Sequence, residues 1–134
     1  MEVVKAEIIR IDEAIVLPEP WSAAWWEPSG KPRTTLGFSI YRLTTNEGLF
    51  GIGPYTGGNP HLAIGQDPFE VGRFWAHTMS GVRSEASGKS ASGLEIALWD
   101  LMGKATGQPL HRLLGSRRDR VLVYAATSRL LPTE

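Results

Sequence analysis

The side chains equipped for chemistry are few in this chain, and their spacing brings almost none of them to one point. The three histidines are His61, His77 and His111. A metal needs several ligands with a shared focus and second-shell support, and no partner clusters around any of the three. His77 falls on the polar side of its predicted helix, and His111 sits beside Arg112 in a short turn. Glu95 and Asp100 could be taken for paired carboxylates, but on a helix they lie about 140° apart and cannot converge on one proton. Helix capping suits Glu95 better, and an ion pair suits Asp100. Ser90 and Ser92 lack His and Asp companions, so a nucleophilic triad is not supported. Gly51, Gly53, Gly57 and Gly58 do not open a helix in the Gly-x-Gly-x-x-Gly pattern of a dinucleotide loop. There is no cysteine, which excludes disulfides, thiol nucleophiles and Cys-based zinc sites.

What remains is aromatic. Trp21, Trp25 and Trp26 stand in a segment rich in proline, Pro18 to Pro32, where neither a strand nor a helix period places them in a core. Tyr55 opens a second irregular segment, Tyr55 to Gln66. Packing on a neighbouring hairpin or a subunit contact would each account for the tryptophans. An ordinary strand-end position would account for the tyrosine.

The elements that must carry these residues follow from periodicity. Val3 to Val16 is β-branched and alternating, a first strand with both faces partly covered. Thr34 to Thr45 alternates again and joins Leu49 to Pro54 through Asn46-Glu47-Gly48, the composition of a hairpin turn. Pro54 makes a central position unsuitable beyond that point. Asp67-Pro68-Phe69-Glu70 marks a helix start, with Asp67 as cap, Pro68 at the first position and Glu70 closing a capping box. Val71, Phe74, Trp75 and Thr78 share a stripe of that helix, which Gly81 would end. After a polar connection from Ser80 to Gly88, a second helix begins between Ser87 and Ser92, where Ser92-x-x-Glu95 is a capping box. Its Ala91, Leu94, Ala97, Leu98, Leu101 and Ala105 fall on one arc, and Ile96, Trp99 and Gly103 on the opposite side. That helix therefore calls for apolar partners on two faces. Gly107 stops it, Pro109 to Leu114 forms a short turn that Gly115 closes, and Val121 to Ala126 has the continuous apolar character of a buried strand.

The chain has 134 residues, 42% of them apolar and 21% charged, and a net charge of zero. Those figures fit one globular domain and argue against a nucleic-acid or membrane-surface partner. Arg117-Arg118-Asp119-Arg120 is a short basic run broken by an acid, best taken as a solvated turn. No apolar stretch approaches the ~20 residues of a membrane span, and Met1 leads straight into a strand pattern, so a cytoplasmic setting is expected.

Strands followed by helices give an α+β fold: a three-stranded antiparallel meander, then helices. The ordered motifs Gly65-Gln66-Asp67-Pro68-Phe69, Leu94-Glu95-Ile96-Ala97-Leu98-Trp99-Asp100-Leu101, Gly103-Lys104-Ala105-Thr106-Gly107-Gln108-Pro109-Leu110, Leu113-Leu114-Gly115 and Arg118-Asp119-Arg120-Val121 resemble the N-terminal capping domain of the enolase superfamily, in its mandelate racemase and muconate-lactonizing branch. The resemblance implies an abbreviated capping domain over residues 1–117, and over 118–134 the start of a (β/α) barrel whose first strand would be Val121 to Thr127. It further implies that Trp21, Trp25, Trp26 and Tyr55 are substrate-lid candidates over a barrel mouth. Family members abstract a proton α to a carboxylate and hold Mg²⁺ on the developing enediolate. The base and three carboxylates that do this belong to the barrel. The four lysines here, Lys5, Lys31, Lys89 and Lys104, form no Lys-x-Lys pair. The expectation is thus a truncated chain that binds no cofactor and is inactive alone. A small carboxylate substrate would engage it only with a barrel supplied. The alternative is a non-catalytic binding module that forms a homo-oligomer through exposed apolar surface. The family's full helix before the Gly-x-Asp-Pro motif is expected to be missing, since Thr56 to Ile64 is short and broken by Gly and Pro.

Overall fold

In the computed structural model, which describes residues 1–21, 33–80, 85–118 and 120–123, the alternating segments pair into one antiparallel sheet. Its strands are β1 (Val3–Trp21), β2 (Arg33–Thr45) and β3 (Phe50–Pro54), in the order β1-β2-β3. The β2–β3 hairpin closes as its composition requires: Gly48 takes φ 83°, and the Thr45 N–H donates to the Leu49 carbonyl at 2.9 Å.

The first strand is longer than its alternation predicts. β1 runs past Val16 to Trp21, with Val16 opposite Thr35 and Trp21 opposite Arg33, and the ladder is irregular between those pairs. The stretch expected to be loop from Pro18 is strand as far as Trp21 because β1 is an edge there. Proline lacks an N–H, which costs nothing on the side of a strand that has no neighbour. β3 pairs only with Ile40 to Thr44. From Arg33 to Ser39, β2 therefore has β1 as its only ladder partner, and the two strands leave the sheet as a ribbon.

One face of the sheet is the core face, with Val3, Tyr41 and Leu43 fully buried. Against it lies α2 (Glu85–Thr106), whose Ala91, Leu94, Ala97, Leu98 and Leu101 are buried as their arc predicts. Burying each leucine contributes about 1.5–3 kcal/mol. Glycines set the closeness of this contact. A Cβ on Gly51 would come 2.2 Å from the Ala97 carbonyl oxygen, and one on Gly53 would come 2.1 Å from that of Gly93. The strand glycines are the seat of the helix.

Four details of α2 differ from expectation. α2 begins at Glu85, two residues before the expected range and about two turns before the Ser92 capping box, so Ser92 is interior to the helix. The Glu95 carboxylate accepts from the Trp99 indole N–H at 3.2 Å, an i,i+4 pair that takes the place of a cap. Ala105 is exposed, since the sheet ends before the last turn of α2 reaches it. The opposite side of α2 is partly covered by the chain's own return: Trp99 packs against the core, and a Cβ on Gly103 would sit 3.1 Å from the Gln108 carbonyl oxygen. Ile96 on that side stays 45% exposed.

Between β3 and α1 in the chain, Pro60–Ala63 forms a 3-10 turn capped by the Asn59 side chain, where a full helix was not expected to fit. A second 3-10 turn, Pro68–Glu70, leads into α1 (Val71–Ser80). Asp67 caps it as predicted, accepting from the Phe69 N–H at 2.9 Å. Glu70 does not complete the box. It pairs with Arg73 at 2.9 Å, one turn along an exposed helix surface. Val71, Phe74 and Thr78 are buried on the expected stripe. Gly81, the expected end of α1, lies outside the described residues.

After Gly107, with φ 62°, the chain makes the single turn α3 (Leu110–Leu113), and Gly115, with φ 76°, ends it. Arg117, Arg118 and Arg120 are exposed, as a solvated turn requires. The strand expected from Val121 is not formed over its described part. Val121, Leu122 and Val123 have no ladder partner and are 72%, 98% and 82% exposed. A strand exists only through a hydrogen-bonded neighbour, and the sheet offers none at that point. Tyr124 to Thr127 lie outside the described residues.

Candidate functional site

The antiparallel order places the C-terminal end of β1, the N-terminal end of β2 and the C-terminal end of β3 at one end of the sheet. Trp21 ends β1 there, its backbone opposite Arg33. Tyr55 follows β3 at the same end, and its N–H donates to the Ser39 carbonyl at 3.0 Å. From Ser39 to Arg33 the ribbon extends roughly 20 Å at ~3.4 Å per residue. The Trp21 backbone and Tyr55 therefore share an end of the sheet, the tyrosine at the ribbon's root and the tryptophan's backbone near its tip. The side chain of Trp21 and all of Trp25 and Trp26 lie outside the described residues.

At the root, Tyr55 is 41% exposed, and its ring meets that of Tyr41 edge-on, with centroids 5.2 Å apart and planes at 69°. Tyr41 is fully buried, and its hydroxyl donates to the Gly57 carbonyl. Burial pushes the Tyr41 hydroxyl above the ordinary tyrosine range, and neighbouring Tyr55 adds to the rise. The group therefore stays a protonated donor through neutral pH. Beside this pair runs an open, apolar groove of about 630 Å³ between the end of β3 and α2, bordered by Phe38, Ile40, Ile52, Tyr55 and Ile96.

A second, more polar cavity of about 570 Å³ lies at the start of α1. Its acids are already engaged, Asp67 as a cap and Glu70 with Arg73, and they do not converge on a reacting position.

Two interactions are invisible in residue spacing. Asp100 makes the expected ion pair, with Lys104 Nζ at 2.7 Å, and its Oδ2 also accepts from the Ile52 N–H at 2.8 Å. Lys104 donates to the Phe50 carbonyl at 2.7 Å. Two helix side chains thus satisfy outward backbone groups of edge strand β3, as a neighbouring strand would. Arg42 and Lys104 both approach the Phe50 ring, at 4.5 and 4.4 Å from its centroid. Asp100 and Lys104, four residues apart, give a sequence signal for their own pair but none for the strand they seal.

Among the described residues, no three His, Asp or Glu side chains come together where they could hold a metal ion. The donors among the described residues do not form a set that fits Mg²⁺. No described helix is long and apolar enough to cross a membrane.

The model of the mandelate racemase / muconate lactonizing enzyme N-terminal domain matches residues 11–115. A "D-galactonate dehydratase family member" from Streptomyces bingchenggensis is 35% identical over 108 residues, covering 68% of this chain and 26% of that protein. The L-talarate/galactarate dehydratase of Salmonella typhimurium is 31% identical over 121 residues, covering 77% of this chain and 30% of that protein. The structure of L-talarate dehydratase from Polaromonas sp., solved with Mg and L-glucarate, superposes with a TM-score of 0.62 at 26% identity, over 88% of this chain and 36% of that one. The chain spans between about a quarter and a third of the curated relatives' length.

Proposed function

The chain belongs to the mandelate racemase/muconate lactonizing enzyme family as its N-terminal domain, and from that premise we propose that it is the substrate-covering cap of an enzyme acting on a small hydroxylated carboxylate. The observation that carries this is the shared end of the sheet. The edge ribbon that ends at the backbone of Trp21, and Tyr55 at its root, lie at one end of a helix-backed scaffold. Such a scaffold holds lid residues over a neighbouring catalytic surface while excluding water from it. The acid-sugar dehydratases among the relatives favour an aldonate or aldarate as the substrate class. In this reading the base and the Mg²⁺ ligands come from outside residues 1–117, and the chain by itself is inactive.

A chimera tests it. Residues 1–117 would replace the matching N-terminal part of the Salmonella L-talarate/galactarate dehydratase, and dehydration would be followed with Mg²⁺ present. The expected result is activity in the chimera, none in the chain alone, and a tenfold or larger rise in KM when Trp21, Trp25 and Trp26 are all replaced by alanine. Acid-sugar dehydration or α-proton exchange by the purified chain would overturn the reading, as would unchanged kinetics in the triple variant.

The runner-up is a binding or oligomer-forming module. It draws support from the groove bordered by Phe38, Ile52, Tyr55 and Ile96, all exposed apolar residues on one continuous surface.

A further inference from the structure

Tyr41 is the largest of the fully buried side chains among the described residues, and positions without side chains surround it. Gly53 faces it across the ladder. A Cβ on Gly93 of α2 would come 2.9 Å from its ring edge. Its hydroxyl reaches the carbonyl of Gly57, and Tyr55 stands edge-on against its ring. A phenylalanine would fill the same core volume. What the hydroxyl adds is one bond, and that bond goes to the bend after β3 rather than to the sheet.

Thr56 is engaged, but the two glycines that follow it give the bend little local reason to hold its shape. Gly57 and Gly58 both take positive φ, 96° and 94°, the conformation that glycine reaches freely and leaves as freely. Ordering two successive glycines costs more backbone entropy than ordering any other pair. The bend is fastened at its ends, where the Tyr55 N–H bonds to Ser39 and Asn59 caps the following 3-10 turn. The Tyr41 hydroxyl fastens it in the middle.

We propose that Tyr41 is a positioning residue for the candidate lid: through the Gly57 carbonyl and the Tyr55 ring it fixes the 55–58 bend and the direction in which Tyr55 faces the groove. This rests on the cap function proposed above, because Tyr55 gains its significance from facing a substrate. The latch turns a rigid feature of the core into order in a surface loop. Burying a hydroxyl without a partner is unfavourable, so the latch is also favoured from the core side.

The test is residue-resolved amide hydrogen exchange by NMR on the full chain, comparing the parent with Tyr41→Phe. Loss of one hydrogen bond predicts that the amides of Tyr55 and His61, which are hydrogen-bonded on either side of the bend, exchange about fivefold faster relative to the ladder amides of Leu43 and Thr45. Tyr55→Phe, which keeps both rings and the Tyr41 hydroxyl, should leave that ratio at the parent value. Two outcomes overturn the proposal: loop rates unchanged in Tyr41→Phe, or loop and ladder amides faster by the same factor, the mark of a merely structural core residue. If the bend loosens as expected but Tyr55→Ala leaves KM unchanged in the dehydratase chimera, the lid function of Tyr55 falls while the latch between Tyr41 and the bend stands.

Discussion

At the scale of single residues, Asp100 shows how one carboxylate serves two elements. Its ion pair with Lys104 is partly solvated and contributes at most about 0.5 kcal/mol, as exposed i,i+4 pairs do. Its bond from the Ile52 N–H anchors strand to helix and contributes more, on the order of 1–2 kcal/mol for a charged acceptor in partial solvent. Asp100→Asn keeps an oxygen for Ile52 and should lose about 0.5 kcal/mol. Asp100→Ala should lose about 1.5 kcal/mol. Urea denaturation followed by circular dichroism separates the two, and equal losses would assign the effect to the ion pair instead. The pair was legible in sequence because its partners are one helical turn apart. The strand bond was not, because Ile52 and Asp100 are brought together only by the packing of α2 against β3.

At the scale of elements, the helix–strand contact depends on what its glycines lack. Gly51 and Gly53 weaken a strand by propensity, and Gly93 weakens a helix. Together they let two backbones approach to a distance at which any Cβ would collide. Gly93→Ala would put a methyl group 2.1 Å from the Pro54 carbonyl oxygen and close to the Tyr41 ring. The expected cost is about 2–3 kcal/mol, the range for overpacking a tight core, read as a lower denaturation midpoint with an unchanged m-value. Gly72 of α1, with open space around it, should instead gain up to about 1 kcal/mol on replacement by alanine. Periodicity foretold the buried arc of α2 almost residue by residue. It placed the start of the helix two residues late, between Ser87 and Ser92 rather than at Glu85, because a sequence that caps well at Ser92 can still be overridden by further turns. It also misjudged the end of β1, because an open edge tolerates prolines that an inner strand would not.

At the scale of the whole molecule, the described residues leave apolar surface on the groove side and over Val121 to Val123. Surface of this kind is normally covered by other polypeptide. A cap that works against a separate catalytic surface should therefore self-associate when isolated. Sedimentation velocity at micromolar concentration is expected to show species larger than the 14.7 kDa monomer, shifted toward monomer by Ile52→Lys with Ile96→Lys. A strictly monomeric parent chain that binds no hydrophobic dye would count against both the cap and the oligomer readings.

Taken alone, the sequence determined the α+β class, the hairpin, the Asp67 cap, the buried arc of α2 and the stops at Gly107 and Gly115. Each of these depends on neighbours a few residues apart, and chain-local sterics and periodicity decide them. It also carried the ordered motifs by which the family is identified. The tertiary structure decided what long-range pairing alone can decide. It set the ribbon of β1 and β2 beyond the reach of β3, sealed the β3 edge with Asp100 and Lys104, and buried Tyr41 under the Gly57 bend. Above all, it brought Trp21 and Tyr55, far apart in the chain, to one end of the sheet. An antiparallel register fixes which strand ends coincide, and no local pattern encodes that coincidence.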